Sequence, residues 1–225
     1  MARSPTEKGF GAGDPALARW AEGVFRPEDE VLREIRERSI RAGLPAIAVG
    51  KFDGLHLEVL ARAFAARTAV EIGTLGGYSG VCLLRGMGPT GVLHSFEISE
   101  KNAAVARESF RKAGSDKRAS VHVGPALEQL RTVEKLGPFD LVFIDADKTG
   151  YPAYLAWAAE HLKVGGVVMG DNALGFGVIH KDDHGEDLAS IAALREFNRE
   201  LAQGGRFRAT MIPTAEGLAL GVKVR

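Results

Sequence analysis

Five short runs rich in apolar and β-branched residues punctuate the middle of the chain: Ala69 to Ile72, Val92 to Ile98, Ser120 to Val123, Phe139 to Ile144 and Gly166 to Gly170. Each reads as a strand of a buried parallel sheet. Stretches with apolar positions at helical spacing separate them, near 79–86, 100–113, 125–135 and 151–162. The helix after Ile98 has the clearest punctuation, with Ser99 as N-cap, Ala106, Phe110 and Ala113 on one face, and Gly114 at the stop. Alternating strands and helices predict a parallel sheet covered on both faces. The last third departs from this rhythm. A helix from Leu188 to Gln203 is followed by Phe207 to Ile212, a turn at Pro213 to Gly217, and Leu218 to Val224, the pattern of an antiparallel hairpin. The expected fold is therefore α/β, a seven-stranded mixed sheet of five parallel strands finished by that hairpin.

Upstream the pattern is weaker. Pro5, Gly9, Gly11, Gly13 and Pro15 break the first residues, so 1–26 is expected to be a mobile or draped tail and 27–225 a single domain. A helix is expected from Pro27, with Glu28, Asp29 and Glu30 near its positive end and Val31, Leu32 and Ile35 on one face, stopping before Gly43. After an irregular Val49 to Gly54, a second helix is expected from Leu55 to Arg67 on the stripe Leu57, Leu60, Ala61 and Phe64.

Composition narrows the classes. The 225 residues, 45% hydrophobic, are enough to bury one sizeable core. The 29 basic and 29 acidic residues cancel, so net charge supplies no drive toward nucleic acid or anionic membrane, although a local basic patch stays open. Cys82 is the one cysteine and cannot form an intrachain disulfide. No run approaches the roughly 18 apolar residues of a membrane helix, and Met1 to Trp20 lacks the apolar core of a secretory signal. A cytoplasmic protein is expected.

Candidate chemistry gathers at strand ends. Ile144 runs into Asp145-Ala146-Asp147-Lys148, and Val168-Met169-Gly170 into Asp171-Asn172. The carboxyl ends of neighbouring strands are where open α/β sheets place ligands. Asp145, Asp171 and Asn172 would offer three hard oxygen donors, suited to Mg²⁺, Ca²⁺ or Mn²⁺ rather than zinc or copper. The first strand ends in Glu71-Ile72-Gly73-Thr74-Leu75-Gly76-Gly77-Tyr78-Ser79, a glycine-rich turn opening a helix. It is not G-x-G-x-x-G, and Glu71 would repel a pyrophosphate, so a cationic or neutral nucleoside fits better. Glu97 closes the next strand, roughly 20 residues beyond the turn, where such sheets place the acid that grips a ribose.

These motifs, with Gly124-Pro125-Ala126-Leu127, Tyr151, Gly165-Gly166, Pro213 and Glu216-Gly217-Leu218, agree in order with one known family. From about residue 45 to the end, the chain resembles the class I S-adenosylmethionine-dependent O-methyltransferases of the cation-dependent catechol and caffeoyl-CoA type. The resemblance implies a Rossmann-like fold. It implies that Glu71, Gly73, Thr74 and Ser79 contact the methionine and sulfonium end of S-adenosylmethionine (SAM), that Glu97 holds the ribose hydroxyls, and that Val49 touches the cofactor from the other side. Ala126 would border the adenine. Asp145, Asp171 and Asn172 would hold the divalent cation, with Asp145 also near the cofactor, and Lys148 matches the general base. The chain departs from the family at Leu55, often Gln, and over Ala173-Leu174-Gly175-Phe176-Gly177, where many members carry a Trp. Both departures lie on the substrate side.

The implied reaction is methyl transfer to one hydroxyl of a vicinal diphenol, a small phenolic acceptor, and relatives of this type are commonly homodimers. A tRNA hydroxyuridine acceptor is the runner-up, using a patch such as Arg107, Arg111, Lys112, Lys117 and Arg118. A nicotinamide oxidoreductase conflicts with the missing fingerprint, and a silent nucleotide-binding module with the intact acidic set and Lys148. Asp147 reads as support. The run His180 to Asp187 reads as a solvated loop rather than a metal site. Tyr151 and Phe176 either line the acceptor pocket or pack.

Overall fold

The computed structural model of the chain describes residues 15–181 and 187–225. Its centre is a seven-stranded sheet in the order β3-β2-β1-β4-β5-β7-β6. The strands are β1 (Thr68–Ile72), β2 (Val92–Glu97), β3 (Ala119–Val123), β4 (Phe139–Ile144), β5 (Leu162–Gly170), β6 (Phe207–Ile212) and β7 (Leu218–Lys223). The first five pair in parallel, and β7 runs antiparallel to both β5 and β6. The expected mixed sheet with its closing hairpin is what the chain forms.

Period-two alternation explains why the central strands are apolar throughout. Leu141 and Phe143 of β4 join Val167 and Met169 of β5 in one core, while Val142, Ile144 and Val168 enter the other. The first core packs under α2 (Glu30–Arg41), α3 (Lys51–Ala63), α4 (Tyr78–Gly86) and α5 (Glu100–Lys112), through Ile35, Leu57, Leu83 and Phe110. The second packs under α7 (Tyr151–His161) and α8 (Leu188–Gln203), through Tyr151, Leu155, Leu194 and Phe197. No described helix is long and apolar enough to cross a membrane.

Four expectations shift. Residues Pro15–Phe25 form a helix, α1, so the segment expected to be a tail is ordered over that part; Ala21 is buried there, while Trp20 and Phe25 face outward. The first core helix starts at Glu30 rather than Pro27, because the Asp29 carboxylate caps it by accepting from Leu32 N at 3.0 Å. Helix α3 begins at Lys51, so Phe52, Asp53 and Gly54 lie inside it rather than in an irregular lead-in. The helix expected over 125–135 shrinks to α6 (Ala126–Gln129) followed by 3-10 turns. Of the charged loop, 182–186 falls outside the described residues.

Candidate active site

The sheet order reverses between β1 and β4, and a cavity of about 1220 Å³ opens at that point over the strands' carboxyl ends. Its floor is the turn after β1. Gly73 sits at φ +99°, and a Cβ there would stand 1.9 Å from the main-chain oxygen of Asp145, so only glycine lets β1 and β4 end side by side. Thr74 Oγ1 donates to Phe96 O at 3.2 Å and shares a hydrogen bond with Ser95. Leu75, at φ +47°, turns its N–H onto Glu97 Oε2 at 2.8 Å. Ser99 N donates to the other oxygen at 2.9 Å. The Glu97 carboxylate is thereby fixed in the wall, near Ala126 and Leu127.

Of the residues assigned to a cofactor, Val49, Gly73, Thr74, Ser79, Glu97, Ala126 and Asp145 all line this one cavity. Glu71 does not. It is fully buried one hydrogen bond behind the wall, where Oε1 accepts from Ser79 Oγ at 2.6 Å and Oε2 accepts from Ser95 Oγ. Glu71 is therefore linked to the cavity through the Ser79 hydroxyl rather than lining it. Burial pushes the Glu71 carboxyl up to about 7, and the charges of Asp145 and Glu97 add to this against the two hydroxyl bonds.

The same cavity is lined by Asp145, Asp147, Lys148, Tyr154, Asn172 and Glu216. Lys148 Nζ donates to Asp145 Oδ1 at 2.9 Å, to Ala146 O at 3.0 Å and to Tyr151 Oη at 2.9 Å. All three ammonium donors are thus engaged by the protein, so Nζ must give up one of these protons before it can accept a proton from anything else. Tyr151 is a buried bracket rather than a pocket wall, with Oη 3.2 Å from Ile144 O and 3.0 Å from Asp171 O. Asp147 acts as support, since it accepts from Gly150 N at 2.9 Å and from Tyr154 Oη at 2.6 Å.

Asn172 takes a left-handed φ of +56°, a conformation asparagine tolerates, and its Nδ2 donates to Glu216 Oε2 at 3.4 Å. Asp171 is 2% exposed and lies behind the wall that Asp145 and Asn172 form. Among the described residues no three His, Cys, Asp or Glu side chains converge on a metal position. The set here is two carboxylates and a carboxamide at adjoining strand ends, joined by Asp171 N donating to Ile144 O at 3.0 Å. Its donor chemistry fits a hard divalent cation.

Arg36 and Tyr154, which no sequence motif contains, line the cavity, as do Tyr78 and Glu216, which the motifs contain without a role. Arg36 had a signal. Leu32, Ile35 and Ser39 form the buried stripe of α2, and Arg36 falls on it one turn after Leu32.

Fold and site together define an α/β protein whose ligand cavity opens at the carboxyl ends of its parallel strands, the arrangement of a Rossmann-like enzyme. The O-methyltransferase family matches residues 22–224, and the chain belongs to it. A catechol O-methyltransferase of Mycobacterium tuberculosis is 43% identical over 182 residues, covering 80% of this chain and 82% of that protein. One from Niastella koreensis is 32% identical over 202 residues, 87% and 90% of the two chains. The crystal structure of the O-methyltransferase from Bacillus cereus in complex with SAH superposes with a TM-score of 0.85 at 34% identity, over 92% of this chain and 97% of that one. The Streptomyces achromogenes O-methyltransferase involved in tomaymycin synthesis, in complex with SAM, gives 0.85 at 32%, over 93% and 96%. The chain is a SAM-dependent O-methyltransferase.

Proposed function

We propose that the acceptor is a catechol-type small molecule, one of whose vicinal hydroxyls is methylated with the help of Mg²⁺, or of Ca²⁺ or Mn²⁺ in its place. The observation that carries this reading is the shared cavity. Residues suited to a nucleoside, Glu97 and Ser79, open onto the same space as Lys148, Asp145 and Asn172. Glu97 takes the ribose hydroxyls on oxygens already turned by Leu75 N and Ser99 N, Ala126 borders the adenine, and Val49 and Ser79 face the amino-acid end. Methyl transfer demands alignment of a nucleophile with the S–CH₃ bond rather than covalent help from the protein, so these contacts contribute by orientation.

Asp145, Asp171 and Asn172 would hold the cation. When bound, it supplies charge that favours ionised phenol oxygen and fixes a chelating diol. Lys148 takes the acceptor proton as the neutral amine, after it has given one of its own protons to solvent and released Asp145. Phe176, 56% exposed at φ +55° in the turn after Asn172, offers an aromatic wall for a planar acceptor. The catechol names of the two relatives support the same acceptor class.

A tRNA acceptor finds less support. Arg107 and Arg111 pair with Glu100 and Glu108, and Arg118 Nη1 is spent on the carbonyls of Leu84, Gly88 and Gly91. Methyl-transfer assays on catechol, phenol and tRNA bearing hydroxyuridine, each with and without Mg²⁺, test the reading. Transfer to catechol alone, dependent on the ion, is expected; equal turnover of phenol, or turnover of tRNA only, would overturn it.

A further inference from the structure

Arg36, which lines the cavity, is joined to three other residues, Glu28, Val49 and Tyr78. Its Nε pairs with Glu28 Oε1 at 3.0 Å, and the two side chains are only 15% and 12% exposed. Its Nη2 donates to the main-chain oxygen of Val49 at 3.2 Å. Its guanidinium carbon lies 4.3 Å from the centroid of the Tyr78 ring, within cation–π range. Tyr78 Oη then donates to the same Glu28 oxygen at 3.0 Å, which closes the cluster. Nη1 is buried, with no hydrogen-bond partner among the described residues.

The location gives this cluster its meaning. Arg36, Val49 and Tyr78 line the same cavity as Ser79 and Gly76, and Tyr78 is the immediate neighbour of Ser79 in the turn that opens α4. Glu28 meets the guanidinium through Nε, which leaves the donors of Nη1 without an acceptor. A buried cation is costly unless its hydrogen bonds are completed. The amino-acid end of the donor carries a carboxylate, the chemical complement of that charge.

We propose that Arg36 is a positioning residue of the donor site: it holds the Val49 segment and the Tyr78 ring against the donor's amino-acid end and presents positive charge to its carboxylate. The inference rests on the donor placement given above, in which Val49 and Ser79 face that end. It adds a residue outside the strand-end motifs, supplied by a helix packed over the cavity.

Calorimetric titration of the whole protein with S-adenosylhomocysteine, and with methylthioadenosine, which lacks the amino-acid end, separates the alternatives. Arg36→Met is expected to raise the Kd of S-adenosylhomocysteine about tenfold while methylthioadenosine changes by less than about twofold. In turnover the loss should appear in KM for SAM, with kcat altered by less than about threefold. Arg36→Lys keeps the charge but cannot serve Val49, Glu28 and the Tyr78 ring together, so it should fall between the two. Full rescue by Lys, or equal weakening of both ligands, would overturn the positioning role. Glu28→Gln loosens the guanidinium without emptying its volume; it should shift the preference in the same direction, and it carries the comparison if Arg36→Met does not fold. Ser79→Ala distinguishes the two layers of the argument. A ligand preference unchanged in both Ser79→Ala and Arg36→Met removes the donor placement and the proposal together, whereas one unchanged in Arg36→Met alone removes only the proposal.

Discussion

Lys148 Nζ donates to Tyr151 Oη at 2.9 Å, and that oxygen also reaches the last carbonyl of β4, Ile144 O at 3.2 Å, and the first beyond β5, Asp171 O at 3.0 Å. One buried phenol thereby ties the candidate base to the main chain of both acidic strand ends. Burial and the neighbouring carboxylates Asp145, Asp171 and Asp147 push its own ionisation well up, so it stays a neutral hydrogen-bonding group at working pH.

Tyr151→Phe should therefore loosen Lys148 without touching the donor site. A loss of about tenfold in kcat is expected, against ~100-fold or more for Lys148→Met, since positioned general bases contribute at least that much. The Kd for S-adenosylhomocysteine should be unchanged in both. Lys148→Met with near-normal turnover at neutral pH would remove the base assignment.

Glu71 makes stability depend on pH in a defined direction. Its carboxyl titrates near 7 when folded and near 4.5 in its ordinary state, so the folded chain binds the extra proton between those values. The contribution is fully present below about 4.5 and is lost as pH rises through about 7, amounting to roughly 3 kcal/mol. Urea unfolding from pH 4.5 to 8 should show this decline in the parent chain and its absence in Glu71→Gln. Identical pH profiles would show that Glu71 is not the group responsible.

Gly73→Ala should be among the most damaging single-methyl changes, because the new Cβ meets Asp145 O at 1.9 Å on a backbone already at φ +99°. The positive φ costs about 1–3 kcal/mol for a non-glycine residue, and separating two central strand ends adds more. Loss of at least about 3 kcal/mol in denaturant unfolding is expected. A drop below about 1 kcal/mol would mean the two strand ends are not locked together there.

Chelation should separate the two halves of the cavity. Dialysis against EDTA is expected to abolish transfer to catechol and leave S-adenosylhomocysteine binding intact, because Glu97 and Ser79 are held by Leu75, Ser99 and Glu71 rather than by the acidic strand ends. Mg²⁺ should restore turnover. Full activity in the chelated enzyme would end the metal reading.

The sequence by itself determined the sheet and most of the cavity-lining positions it singled out. Phe139–Ile144, Leu188–Gln203 and Phe207–Ile212 form at the boundaries their periodicity indicates, because apolar period and capping chemistry act over a few neighbouring residues. Asp145, Lys148 and Asn172 were legible because a carboxylate or amide at the end of a buried strand has no packing role to explain it. Tertiary structure decided what lies in the wall and what lies behind it. Glu71 and Asp171 sit beside wall residues in sequence yet are enclosed, Glu71 because alternate positions of β1 enter different layers and Asp171 because the turn after β5 carries it behind Asn172. Arg36 reaches the cavity only because α2 packs over the turn after β1, with Ser39 Oγ 2.0 Å from where a Gly76 Cβ would stand. Such contacts join residues about 40 positions apart, and no local pattern encodes them because their partners are set by packing between elements rather than along the chain.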